Sequence, residues 1–115
     1  MGTEECFHYY QVTKQITPDR DNKITLQTLF HAIHTEPGAF IGQISPKPLL
    51  MTIALQSSLI DPKQRESLFN TAREPKKLLK LDCGHFDVYQ GEVFEKTVPA
   101  QIDFLQQYLA QNHKR

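Results

Sequence analysis

Two short apolar runs, each followed by a helical pattern, organise the second half of the chain. Leu49-Leu50-Met51-Thr52-Ile53-Ala54 is nearly continuous in apolar character and is preceded by Pro48. Such a run predicts a strand buried on both faces, as parallel sheets demand. Asp61-Pro62 then offers an N-cap with proline in the first helical turn. Gln64, Leu68, Phe69 and Ala72 continue that helix, which should stop near Glu74-Pro75. Lys76-Lys77 lead into a second strand, Leu78-Leu79-Lys80-Leu81, and a loop runs from Asp82 to Gly91. A last helix over roughly 92–110 presents Val93, Phe94, Ile102, Phe104, Leu105, Tyr108 and Leu109 as a broad apolar face. Pro99 inside it predicts a kink or a late start to the regular helix. Gln111 to Arg115 read as a frayed helix end.

The first half is less regular. Residues 4–15 suit a short helix carrying Phe7, Tyr9 and Tyr10, and Thr17 to Asn22 form a turn or linker. Thr25 opens a second helix with Leu26, Leu29, Phe30 and Ile33 at helical spacing. Pro37-Gly38 breaks it, and Ala39-Phe40-Ile41 add a turn before Ser45-Pro46-Lys47-Pro48.

Strand, helix, strand and helix over about 60 residues fit a right-handed crossover unit of a parallel α/β sheet. Two strands alone are fewer than an independently stable sheet generally needs. Both edges of the pair look apolar, which points to structure not represented in this sequence.

Composition narrows the function classes. The 115 residues make one domain, with 13 Lys+Arg against 13 Asp+Glu. Without a basic stripe, nucleic acid is not an expected partner. No run approaches the ~18 apolar residues of a membrane span, so no membrane association is expected. The acidic, polar start is unlike a signal peptide. Cys6 and Cys83 lie far apart in unrelated contexts, against a disulfide framework or a zinc site. A reducing, intracellular and cytoplasmic setting is the expectation.

The richest chemistry lies in Leu81-Asp82-Cys83-Gly84-His85-Phe86-Asp87-Val88-Tyr89. A histidine on the loop leaving a buried strand is placed to act as a general base, since its pKa lies near neutrality. The alternative is a loop histidine that only hydrogen-bonds its neighbours. Gly84 suits a tight turn or a close backbone approach. A base of this kind needs a carboxylate to orient it, usually from the loop after the preceding strand. That loop, Leu55 to Ile60, has no acid before Asp61, which is either an acid reached by folding back or the helix N-cap. Asp82 and Asp87 read as turn residues. A Cys83-His85 dyad is conceivable, but the i,i+2 spacing in an extended segment gives poor hydrogen-bond geometry. Ser45 sits between isoleucine and proline rather than on an elbow, and no Gly-x-Ser-x-Gly occurs in the sequence. His31 and His34 have the i,i+3 spacing of a metal pair without a third ligand nearby.

Beyond these readings, the sequence resembles the C-terminal portion of an α/β-hydrolase, and more closely the fungal polyketide transferase and thiohydrolase type. The resemblance is carried by Leu26-Gln27-Thr28-Leu29, Glu36-Pro37-Gly38-Ala39-Phe40-Ile41 and Ile44-Ser45-Pro46-Lys47-Pro48-Leu49-Leu50-Met51. Glu74-Pro75-Lys76-Lys77-Leu78 and Gly84-His85-Phe86-Asp87-Val88-Tyr89 complete it. It implies an α/β fold of two parallel strands with flanking helices, the N-terminal half of the hydrolase being absent. Residues 1–47 would form a helical cap or connector and 48–115 the end of the sheet. It also implies a Ser-His-Asp triad that cleaves or transfers an acyl group from an ester or thioester in secondary-metabolite or toxin biosynthesis, without cofactor or metal. The family histidine maps onto His85, the family acid onto Ser57, and Asp61 is the alternative acid. Serine cannot be the anionic partner. The expected partners are a small acyl ester or thioester and, through the exposed sheet edge, another protein or a second copy. Two other readings stay open: a non-catalytic accessory protein and a nonfunctional gene remnant.

Overall fold

The computed structural model describes residues 3–19, 21 and 23–112; the ends of the chain, Arg20 and Asn22 lie outside the described residues. The expected turn at 17–22 and frayed terminus at 111–115 fall partly there. The elements are α1 (Glu4–Ile16), α2 (Leu26–His34), β1 (Leu49–Ala54), α3 (Pro62–Thr71), β2 (Lys76–Leu81) and α4 (Glu92–Asn112). Short 3-10 segments cover Pro37–Gln43 and Asp87–Tyr89.

β1 and β2 form a parallel two-stranded sheet joined through α3, in the register Leu49–Lys76 to Ala54–Leu81. The ladder starts at Lys76, earlier than the apolar run alone suggests, because Leu49 N–H donates to Pro75 O at 3.0 Å and draws the preceding backbone into line. Local chemistry sets the helix starts. Thr3, Thr25 and Asp61 cap α1, α2 and α3, each side chain accepting from a first-turn amide. Pro62 follows the third cap, where its missing N–H costs nothing. Lys80 pairs with Glu66 at 2.6 Å, and Lys76 Nζ donates to Phe69 O at 3.0 Å, so β2 grips α3 from its exposed side. The exposed Lys80–Glu66 pair contributes at most about 1 kcal/mol.

The strands are not buried on both faces. Ile53 is the only buried strand residue among them, 4% exposed, while the rest of β1 is half-buried and Lys77 and Lys80 are exposed. α3 lies against β1, whereas α4 packs chiefly on the turn Asp87–Tyr89, so the sheet receives cover mainly from one side. The buried apolar positions are Ile41, Ile53, Ala72, Cys83 and Phe104. Thr97 is buried with them, its hydroxyl satisfied by Val93 O at 2.7 Å. α4 begins at Glu92, seven residues ahead of Pro99, so the regular helix does not start late. Its apolar face is only partly used: Phe104 is buried, but Ile102, Leu105 and Leu109 are exposed. In α2 the apolar positions Leu26, Leu29, Phe30 and Ile33 are exposed as well. No helix among the described residues is long and apolar enough to cross a membrane.

Candidate functional site

The two strands end level, and the chain beyond them is laced together. Leu55 N–H donates to Leu81 O at 2.8 Å, and Gln56 N–H donates to Cys83 O at 3.0 Å. The Gln56 side chain then donates to Asp82 at 2.6 Å. These bonds carry the parallel alignment past the ladder and deliver Ser57 and His85 to the same place. Ser57 Oγ stands 3.1 Å from His85 Nδ1.

The hydrogen-bond inventory fixes the sense of that contact. Ser57 Oγ accepts from Leu59 N–H at 3.3 Å and from Ile60 N–H at 3.2 Å, which occupies both of its lone pairs. Its own proton is therefore the one shared with His85, and Nδ1 is the acceptor. A neutral His85 then carries its proton on Nε2. An aspartate at this position would enforce the opposite tautomer, with Nε2 free to take a proton.

Asp61 is engaged elsewhere. Its Oδ1 accepts from Lys63 N–H at 2.9 Å as the cap of α3. Asp82 accepts from Gln56, and Asp87 Oδ2 accepts from Gly84 N–H at 2.8 Å while its residue opens the 3-10 turn. Cys83 is buried, and its thiol is pushed above its ordinary range by burial first, then by the charges of Asp87, Asp82 and Glu5. A thiol held protonated in this way is a poor nucleophile. Ser45 is spent on Glu74 O at 2.8 Å. His34 contacts Phe30 O through Nδ1 at 2.8 Å and stacks on the Phe30 ring. Among the described residues no group of three or more His, Cys, Asp or Glu is arranged to hold a metal.

One contact to the His85 loop comes from a region with no local sequence signal for it. Glu5, in the first turn of α1, accepts from Ser58 Oγ at 2.5 Å and from Phe86 N–H at 3.4 Å, with backbone donors at His85 and Ser58 also directed at it. Tyr9, one turn further on, lies flat on Phe86. His85 and Ser57 border a cleft of about 470 Å3 over the C-terminal half of β1. Its walls are mostly apolar, including Met51, Ile53, Val88 and Phe94, with Arg65 and Gln101 as polar members. No described residue hydrogen-bonds His85 Nε2. The cleft is thus a mostly apolar slot bordered by one histidine.

No protein-family model matches the sequence. Sequence relatives include an uncharacterised 31.7 kDa protein of the traX-finO intergenic region of Escherichia coli, 26% identical over 111 residues, covering 95% of this chain and 38% of that protein. They also include the polyketide transferase ATR5 of Stachybotrys chlorohalonatus, 26% identical over 89 residues, covering 76% of this chain and 30% of that one. The chain therefore spans well under half the length of the curated relatives it matches. Among solved structures, the α/β-hydrolase GrgF from Penicillium sp. sh18 superposes with a TM-score of 0.77 at 24% identity, over 93% of this chain and 37% of that chain. The crossover, the parallel pair and the helices around the His85 loop thus have the fold of part of an α/β-hydrolase.

Proposed function

We propose that this chain forms the histidine side of an acyl-transfer site, acting on a small acyl ester or thioester of polyketide type. In this reading residues 48–115 are the end of the hydrolase sheet that presents His85, and residues 1–47 are the cap or connector laid over it. The observation that carries the reading is the position of His85, on the loop leaving β2 and at the border of an apolar cleft, with Nε2 bonded by no described residue. The acyl chain lies along Met51, Ile53 and Phe94, and its carbonyl approaches Nε2. Because the sequence has no Gly-x-Ser-x-Gly, the nucleophilic serine and oxyanion donors come from another polypeptide segment. The likeness to polyketide transferases supports the substrate class.

A second reading is favoured by one observation. Ser57 donates to Nδ1, so neutral His85 offers a proton through Nε2 where a general base must accept one. A non-catalytic accessory protein would keep the cleft as a ligand slot and pair with a hydrolase through the exposed sheet edge. Two measurements on the full chain separate the readings. Titration with S-butyryl-N-acetylcysteamine should perturb the NMR signals of Met51, His85 and Phe94, and an unperturbed cleft would sink both uses of it. Turnover of p-nitrophenyl butyrate above the His85→Ala variant supports the catalytic reading. Equal rates, with a stoichiometric complex on size-exclusion chromatography that is indifferent to His85→Ala, support the accessory one.

A further inference from the structure

A histidine that cycles through the imidazolium needs a fixed negative charge nearby, and Ser57 has none. The nearby aspartates keep their charge, but each holds a local contact: Asp61 caps α3, Asp82 takes the Gln56 side chain, and Asp87 takes Gly84 N–H. A further carboxylate, Glu5, is brought by α1 from 53 residues before Ser58 and 81 before Phe86 and reaches both loops. Its two oxygens divide the work. Oε2 takes the Ser58 hydroxyl on the β1–α3 side, and Oε1 takes Phe86 N–H on the β2–α4 side. Gly84 makes the approach possible, because a Cβ there would stand 2.7 Å from Glu5 Oε1.

We propose that Glu5 is a positioning residue of the site, clamping the Ser57-Ser58 and Gly84-His85-Phe86 loops together and adding its negative charge to those of Asp82 and Asp87 around them. It acts through the Ser58 hydroxyl and the backbone of His85 and Phe86, and does not touch the ligand. The same donors hold its carboxyl below its ordinary pKa, the Ser58 hydroxyl contributing most and burial opposing it, so Glu5 is ionised throughout the range in which a histidine titrates. Among the described residues, the other charged or titratable groups around His85 are Asp82, Cys83, Asp87 and Tyr89 on its own segment, Tyr9 on α1 and Arg65 on α3. None of them changes in the variants below.

The inference rests on His85 as the histidine of the site, but its test needs no turnover. The His85 Cε1 proton is followed by NMR across pH in the full chain, in Glu5→Gln and in Ser58→Ala. Losing the negative charge should lower the His85 midpoint in Glu5→Gln, and by less at high salt. Ser58→Ala, which keeps the carboxylate, should shift it by less than half as much. A folded Glu5→Gln protein with the wild-type midpoint overturns the proposal. Should that variant not fold, the wild type decides: the His85 and Phe86 amide signals must show an inflection below pH 4.5 as Glu5 protonates, and flat signals overturn it. A chain with the shifted midpoint and no turnover would defeat catalysis while leaving this role of Glu5 intact.

Discussion

Tyr9 lies flat against Phe86, ring centroids 4.2 Å apart and planes only 13° from parallel, so an N-terminal helix is seated on the residue next to His85. Tyr89 borders the same cluster, 6.1 Å from Tyr9. Stacked pairs add about 0.5–1.5 kcal/mol beyond the area they bury. Tyr9→Ala should therefore destabilise the protein by about 1–2 kcal/mol. Hydrogen exchange should show the loss as faster exchange in Glu4–Ile16 than in β1 and β2. Uniformly faster exchange would mean that α1 is no separable layer.

Gly84→Ala tests the closeness of α1 by a different route. The new Cβ meets Glu5 Oε1 at 2.7 Å and Asp87 Oδ2 at 3.1 Å, both at the ends of side chains that can move. The fold should persist with a Tm lower by about 3–6 °C, the effect of a loss somewhat under 1 kcal/mol. Glu5→Ala in the same background should then cost little more, because the contact is already broken. Full additivity of the two losses would contradict the clash.

Acid should loosen the same junction. The Glu5 carboxyl has a folded pKa below its ordinary value of 4.5, so its contribution to stability is fully present above about pH 4.5 and is lost as pH falls through the lower folded value. Urea unfolding from pH 6 to pH 3 should show this loss in the wild type. In Glu5→Gln the slope over that window should be shallower, and an identical slope would remove Glu5 as its source.

Ser57→Asp should convert the site histidine. A carboxylate can still accept from Leu59 and Ile60 N–H while also accepting from Nδ1–H, which leaves Nε2 as the acceptor in neutral His85. The His85 pKa should rise by about 1 unit or more. The added stability is then fully present below the ordinary histidine pKa of about 6.5 and is lost as pH rises through the new midpoint. Nitrogen-15 shifts of the ring report the tautomer directly. An Nε2–H signal retained at high pH would show that Ser57 does not select it.

The second half of the fold was legible because its signals are local. An apolar run after Pro48, the Asp61-Pro62 cap and the Gly84-His85 exit each act over a few residues, and the observed β1, α3, β2 and α4 follow them. Ser57 could be placed opposite His85 only by likeness, since the distance between them depends on strand register. Strand burial was misread for a related reason: composition reports what a strand can bury, and the number of covering layers decides what it does bury. Glu5 was not legible at all. An acidic residue in a first helical turn is ordinary dipole chemistry, and its contact with Ser58 exists only after α1 has docked. The exposed apolar positions of α2 and α4 belong to the same category, because periodicity marks a face without naming what lies on it.

The level ending of β1 and β2 has a geometric consequence for variation in this site. Ala54 pairs with Leu81, and every bond that brings Ser57 to His85 is counted from that last rung. Sliding one strand by a single residue would carry its loop about 3.3 Å along the sheet and turn each side chain to the opposite face. Substitutions can therefore retune the pair, but a one-residue insertion or deletion between Ala54 and Ser57, or between Leu81 and His85, should disconnect it while the sheet itself survives.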